Sequence, residues 1–269
     1  VADLITSSAN PVVKRMRLLA ERRYRRREGA FVVQGIQPVW QAVEAGADVE
    51  TLIVAPGLLG RSSAARMVAE QEARGTRVAR VSDELFGRLS DREGPPGLAA
   101  IVRGRVGPLG GLPAGPRSVF VALYEIGNPG NLGTIIRTAN AAGAAGVVLV
   151  GQATDPFDPV AVKASMGALF SLPVAQAREA GEFFAWTAAH RVTVVATSAR
   201  ATASFWAASY PRPLALLLGG EGAGLPAEVL ARGDAAVRVP MVGTAESLNL
   251  AVAAGLLLYE AMRQSGDLS

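Results

Sequence analysis

The stretch that most constrains this chain runs from Leu214 to Ala254: LALLLGGEGAG, then a return segment AAVRVPM, then GTAESLNLAVAA. The run Leu214 to Leu218 is short, apolar and stopped by glycines, as expected of a buried parallel strand whose carboxyl end opens into a loop. Gly219, Gly220, Gly222 and Gly224 carry no Cβ, so that loop can approach a bound molecule closely. Its one charged side chain is Glu221. A second strand-like run, Ala235 to Val239, stops at Pro240 and Met241, and a helix is expected from near Ser247. With Leu248, Leu250, Val252, Leu256, Leu257 and Leu258 that helix is apolar nearly all round, which predicts burial on most sides. Ser247 and Asn249 fall at its expected first turn, where backbone N–H groups are unpaired and ligands commonly dock. From the glycines alone, an ordinary strand-to-helix turn of an α/β core stays open beside the ligand loop.

The familiar nucleotide signatures fail. Leu225 stands where G-x-G-x-x-G needs its last glycine, and no G-K-[ST] exists because the lysines are Lys14 and Lys163. A nicotinamide oxidoreductase and a P-loop nucleotidase are therefore disfavoured. The absence of cysteine removes thiolate metal sites and a cysteine nucleophile, and no metal is expected. The lone histidine, His190, reads as a helix-end residue, which argues against Ser-His-Asp chemistry. No apolar run is long enough to cross a bilayer and the first residues lack the apolar core of a signal peptide, so a cytoplasmic protein is expected.

Charge is unevenly spread. The net charge is +4, yet the first thirty residues hold eight basic side chains against Asp3, Glu21 and Glu28. Arg22, Arg23, Arg25, Arg26 and Arg27 lie on one expected basic helix following Asn10-Pro11, whose other face carries Val13, Met16, Leu19 and Ala20. Such a cluster points to a polyanion such as RNA, while a solvated charged face explains it equally.

Along the chain, residues 1–103 alternate strands and helices after the basic helix and form a small α/β domain. Residues 104–116 hold eight Gly or Pro in thirteen positions, so a structureless linker is placed at 104–117. Residues 118–269 form a second α/β domain with a parallel sheet. It opens on SVFVALYEI and the turn Gly127 to Gly133, with Arg137 on the helix that follows. DPFDPVAVKASMGALFSLPVAQA reads as a helix broken at Ser165 to Gly167.

Three segments of this second domain, taken in order, resemble the motifs of the SpoU branch of the SPOUT RNA 2'-O-ribose methyltransferases. They are NLGTIIRTA from Asn131, GGEGAG from Gly219, and Val239-Pro-Met241 with Ser247-Leu-Asn249. SMGALFSLPV from Ser165 is similar to the family's segment between the first two motifs. The resemblance covers residues 118–264, and the first domain resembles the ribosomal-protein-like RNA-binding domain of many ribosomal-RNA members. The nearest likeness is to the 23S rRNA enzymes that protect antibiotic-producing bacteria. Where many members have an aspartate before the first motif's proline, this chain has Asn128.

The resemblance implies a deep trefoil knot, a homodimer, and S-adenosyl-L-methionine cradled by Gly219, Val239, Met241, Leu248 and Leu250 with Thr197 close by. It implies ribose 2'-O-methylation of 23S ribosomal RNA, with Arg137 acting at the 2'-hydroxyl. Asn131 would orient Arg137 or the ribose, Glu221 would fix the guanidinium, and Ser247 with Asn249 would hold sugar and phosphate. A tRNA ribose methylase and a non-enzymatic RNA-binding assembly factor are the rival readings.

Overall fold

Asn10 starts the first helix, because its Oδ1 accepts a hydrogen bond from the Val12 N–H at 2.9 Å and Pro11 fills a first-turn position where a missing N–H costs nothing. The computed structural model describes residues 4–60, 62–90, 94–95 and 97–266. It divides into two units, residues 1–105 with 157–170 and residues 106–156 with 171–269.

The chain first forms α1 (Pro11–Leu18), α2 (Arg22–Glu28), β1 (Ala30–Gln34), α3 (Ile36–Glu44), β2 (Val49–Val54), α4 (Pro56–Leu59), α5 (Ser63–Ala73), β3 (Arg77–Arg80), α6 (Asp83–Leu89) and β4 (Leu98–Arg103). There follow β5 (Gly107–Pro108), β6 (Val119–Tyr124), α7 (Pro129–Ala141), β7 (Gly146–Val150), α8 (Pro159–Ser165), β8 (Val174–Ala177), α9 (Ala180–Ala189) and β9 (Thr193–Thr197). The last elements are β10 (Ala203–Ser204), β11 (Leu214–Gly219), α10 (Ala227–Leu230), β12 (Ala235–Arg238) and α11 (Leu250–Ser265).

The first unit holds a mixed sheet of order β1-β4-β2-β3. Alternation along its strands feeds two cores: Ala30 and Val32 join Val13, Met16 and Phe86 on one face, while Phe31 and Val33 join Val39, Met67 and Leu98 on the other. The single basic helix expected here is in fact two, α1 and α2, because the chain turns at Leu19 to bury that side chain among the same apolar residues. Arg25 is turned inward at the break and is 4% exposed. Its Nη1 donates to the carbonyls of Leu19 at 3.1 Å and Ala20 at 2.5 Å, and its Nη2 to Asp158 at 3.4 Å. This corrects its placement among RNA-binding residues, since its donors are spent on the fold. Arg22, Arg23, Arg26 and Arg27 remain exposed. Arg15 also serves the fold, its guanidinium bridging Glu28 and Glu50 and holding both carboxyls below the usual carboxylate range.

Residues 157–170, which the sequence reading placed in the second domain, pack with the first unit. The cause is apolar: Phe157 and Phe170 stack on Phe31 with ring centres 4.5 and 6.2 Å apart, and Val162 joins its core. The expected break after Ser165 is present, with Met166 in the left-handed region at φ +49°. Val174–Ala177, expected to continue this helix, instead form β8, paired in parallel with β7.

The second unit holds an eight-stranded sheet of order β10-β12-β9-β11-β6-β7-β8-β5, in which every ladder is parallel. β6, β7 and β11 are buried on both faces, which is why each reads as a continuous apolar run. The Gly/Pro stretch is not structureless. Gly107 and Pro108 pair with β8, and Leu109 and Leu112 sink into the core beside Phe120 and Trp186.

The last helix departs from expectation twice. It starts at Leu250 rather than near Ser247, and it is buried along one side only. Ala251, Ala254, Leu257 and Leu258 face inward, whereas Val252, Leu256 and Tyr259, spaced i, i+4, i+7, are 52%, 39% and 49% exposed. Near its end the buried Glu260 accepts from Arg263 at 2.7 and 2.9 Å and from Gln264 at 2.8 Å, and these bonds push its carboxyl down to about 2.

Two stability predictions follow from these buried charges. Arg25→Ala strands the Leu19 and Ala20 carbonyls and is expected to cost roughly 2 kcal/mol in urea denaturation, whereas Arg26→Ala leaves the midpoint unchanged. Because folding lowers the Glu260 pKa from 4.5 to about 2, its contribution is complete above pH 4.5 and fades as the pH falls towards 2. The stability gap between wild type and Glu260→Gln should therefore be widest near neutrality and close progressively below pH 4.5; a gap constant across that window would refute the assignment.

Candidate functional site

β6 and β11 are neighbours in register, Leu123 opposite Leu218 and Tyr124 opposite Gly219. β7 and β8 lie beyond β6, and β9 and β12 lie beyond β11, so the strand order reverses between them. An open parallel sheet leaves a crevice outside the carboxyl ends of the strands at such a point. Two loops enter it here, the turn leading to α7 and the glycine loop after β11.

Each loop is shaped by its sequence. Asn128 caps α7, its Oδ1 accepting from the Asn131 N–H at 3.0 Å. An amide oxygen serves this cap as a carboxylate does, so the departure from aspartate leaves the turn intact. The glycine loop doubles back on itself, with the Gly224 N–H donating to the Gly220 carbonyl at 3.2 Å. A Cβ on Gly219 would lie 2.2 Å from the carbonyl carbon of Gly224, so no other residue fits without moving backbone. The tip of that closed loop carries Glu221.

One chain of hydrogen bonds ties the loops to the last helix. Asn131 Nδ2 donates to Glu221 Oε1 at 2.7 Å, and Asn249 Nδ2 donates to Asn131 Oδ1 at 3.0 Å. Asn249 Oδ1 accepts from the Ala251 N–H at 2.9 Å, capping α11. The polarity is self-consistent: a carboxylate can only accept and a backbone N–H can only donate, which fixes both amide orientations.

The remaining expected residues fall around this chain. β12, β9 and β11 are consecutive in the sheet, so Val239, Thr197 and Gly219 lie along one carboxyl edge. Leu248 and Leu250 flank Asn249, and Met241 and Ser247 are exposed in the segment before it. Ser247 lies two residues ahead of the cap rather than inside the first turn. Arg137 lies on an exposed position of α7, with no ion-pair partner among the described residues. Glu221 is engaged by Asn131 and not by Arg137, which corrects the expected carboxylate–guanidinium contact. Arg22, Arg23, Arg26 and Arg27 belong to the first unit. There the guanidiniums of Arg23 and Arg27 each lie 4.7 Å from the ring centre of Tyr24.

The sequence reading missed Glu125, at the carboxyl end of β6. It adopts φ +50°, an uncommon conformation for a residue with a Cβ, and its carbonyl lies beneath Gly220, where an added Cβ would be 2.7 Å away. Nothing in local sequence signals such a backbone. His190 is a helix-end residue as expected, with Nδ1 2.9 Å from the Trp186 carbonyl. Among the described residues no cluster of three or more His, Asp or Glu is placed to hold a metal. Clefts of about 600 Å³ beside Tyr210 and Arg212, and of about 510 Å³ beside Phe184 and Arg232, lie towards the amino ends of β11 and β9, at the opposite edge of the sheet. No described helix is long and apolar enough to cross a membrane.

Residues 118–259 match the SpoU rRNA Methylase family, and residues 10–100 match the MRM3-like substrate binding domain. The chain is 36% identical over 252 residues to the 23S rRNA (uridine(2479)-2'-O)-methyltransferase of Streptomyces viridochromogenes, covering 92% of this chain and 87% of that one. It is 31% identical over 255 residues to a 23S rRNA (guanosine(2553)-2'-O)-methyltransferase of Bacillus subtilis, covering 95% and 97%. Among solved structures, the AdoMet-bound rRNA methyltransferase from Sinorhizobium meliloti superposes with a TM-score of 0.89 at 37% identity, covering 97% and 98% of the two chains.

The hydrogen-bond chain makes a direct prediction. Asn131→Asp replaces a donor with a second carboxylate facing Glu221, and is expected to cost about 1 kcal/mol at neutral pH. Urea midpoints of wild type and variant read this out, and an unchanged midpoint would mean the two side chains are not in contact.

Proposed function

We propose that this chain, which belongs to the SpoU rRNA Methylase family, is an S-adenosylmethionine-dependent ribose 2'-O-methyltransferase acting on 23S ribosomal RNA. The observation that carries the reading is the bonded chain Glu221–Asn131–Asn249, which gathers the three family motifs at one edge of the sheet. The 23S rRNA activities of the two relatives and the AdoMet in the solved neighbour support the substrate and the cofactor.

The edge formed by Thr197, Gly219 and Val239, with Met241, Leu248 and Leu250 on the loop that follows, suits a cofactor held by backbone: Gly219 leaves no room for a side chain and the 239–249 segment is open to contact. S-Adenosylmethionine supplies an electrophilic methyl group when bound there. A ribose hydroxyl is a weak nucleophile at neutral pH, so the protein's task is to position it and stabilise the alkoxide as it forms. Arg137 performs this task, holding the adjacent phosphate and donating to the developing negative charge. It serves as an electrostatic group, and the hydroxyl proton leaves to solvent water as the methyl–oxygen bond forms. Asn131 and Glu221 hold the loops that frame this residue, and Ser247 with Asn249 contacts the sugar and phosphate.

The remaining features follow from the same reading. The segments 219–224 and 239–249 form the trefoil knot through which α11 is threaded. The exposed stripe Val252, Leu256 and Tyr259 is the face by which two copies form a homodimer; Ala251 and Ala254, small residues that would suit such an interface, are instead buried within this chain. The first unit recruits the RNA through Arg22, Arg23, Arg26 and Arg27, and the protein works in the cytoplasm, where ribosomes are made.

The test is incubation with tritiated S-adenosylmethionine and, in parallel, unmodified 23S rRNA, 16S rRNA and bulk tRNA, with primer extension to map the label. A single site in 23S rRNA is expected, and its position beside a drug-binding region would make the role antibiotic resistance. Label in tRNA, or none with cofactor binding also absent, overturns the reading. Arg137→Ala is expected to lower turnover by at least roughly a hundredfold while S-adenosylmethionine binding, measured by calorimetry, is kept.

A further inference from the structure

The indole of Trp206 is 65% exposed, whereas Trp186 is buried in the sheet core. An exposed indole offers a large, rigid, amphipathic face suited to a contact surface. Topology fixes where it stands. β10 is the outermost strand and runs parallel to β12, with Ser204 opposite Arg238, and the Phe205 N–H donates to the Arg238 carbonyl at 2.9 Å. All strands of this sheet run the same way, so Trp206 emerges at the carboxyl edge, one strand outward from Val239 and two from Thr197. It therefore shares an edge with the motif loops.

The indole is also supported from below. Phe205 is 3% exposed and its ring centre lies 4.9 Å from that of Trp206, the planes inclined at 37°. Phe205 is itself held, since its carbonyl accepts from the buried Tyr210 hydroxyl at 2.8 Å, and the Trp206 N–H donates to Ser204 Oγ at 3.4 Å. Arg200 and Arg238, both exposed, come from the segments that lead to and flank this corner. A seated aromatic plane on a corner whose adjoining segments carry two exposed arginines matches a single-stranded nucleic acid, which offers a flat base and an anionic backbone together.

We propose that Trp206 is a substrate-positioning residue that stacks an unpaired base of the RNA strand entering the site. The inference rests on the RNA-methylation reading above and names one residue of its substrate surface that no motif marks. A protein partner or a second copy on the same plane is an outcome that the test separates from RNA.

The test uses the full chain with two synthetic probes of equal length, oligouridine RNA and its abasic analogue, read by anisotropy and by tryptophan fluorescence. Wild type should bind oligouridine with quenching; Trp206→Ala should weaken that binding roughly tenfold and remove the quench, and Trp206→Phe should keep most of the affinity. The abasic probe should bind wild type and Trp206→Ala alike. Equal affinity of wild type and Trp206→Ala for oligouridine overturns the proposal, as does a Trp206 quench produced by S-adenosylmethionine alone or by raising protein concentration without RNA. Methyl transfer to 23S rRNA is assayed alongside: its absence with stacking intact defeats only the catalytic reading, and its presence with an unchanged KM in Trp206→Ala defeats only this one.

Discussion

The bonded chain from Glu221 through Asn131 to Asn249 holds together parts of the molecule that are far apart in sequence. Its strength lies in direction, not in the energy of any one bond. A carboxylate at one end and a helix's first N–H groups at the other permit a single orientation of each amide, so neither asparagine can be exchanged for aspartate without losing a donor. Aspartate at either asparagine position supplies the right shape and the wrong polarity. The cap on α11 and the placement of the glycine loop are consequently one structural event.

That event needs the sheet. Parallel strands bring all their carboxyl ends to one edge, and the reversal of order between β6 and β11 opens that edge where two loops meet. The glycine loop can meet the α7 turn because Gly219 admits the chain's own backbone where a side chain would stand. Glu125 contributes from the other side with a left-handed backbone, whose carbonyl passes beneath Gly220. Tight backbone geometry thus frames the site more than the size of any side chain does.

The legible and illegible parts of this fold differ in the range of the interaction that sets them. β6, β7 and β11 were readable because burial on both faces leaves an apolar run in the sequence itself. The parallel sheet and the motif residues of the second unit followed from such local patterns and from the family resemblance. What local pattern concealed was set by distant partners. Arg25 reads as one of a row of surface arginines, and the carbonyls freed by the turn at Leu19 and the carboxylate of Asp158 hold it inward. Residues 157–170 read as part of the domain in which they lie in sequence, and the rings of Phe157 and Phe170 place them against Phe31 instead. Glu221 reads as the partner of an arginine, and its proximity to Asn131 depends on how two loops close.

The last helix shows how one element serves several ends. A strongly apolar sequence suggested burial all round, but α11 spends one face on α7 and β11 and leaves Val252, Leu256 and Tyr259 in solvent. Its first turn is capped by the asparagine that also binds Asn131, so the helix cannot shift along its axis without breaking the site's hydrogen bonds. Its far end is tied by the Gln264 amide, which donates to the Ala208 carbonyl at 2.9 Å, in the segment that follows Trp206. If the exposed stripe docks a second copy, as we infer, association bears on a helix tied at its first turn through Asn249 and at its end through Gln264. A dimer built on this face would therefore stiffen the site on the same molecule that it joins.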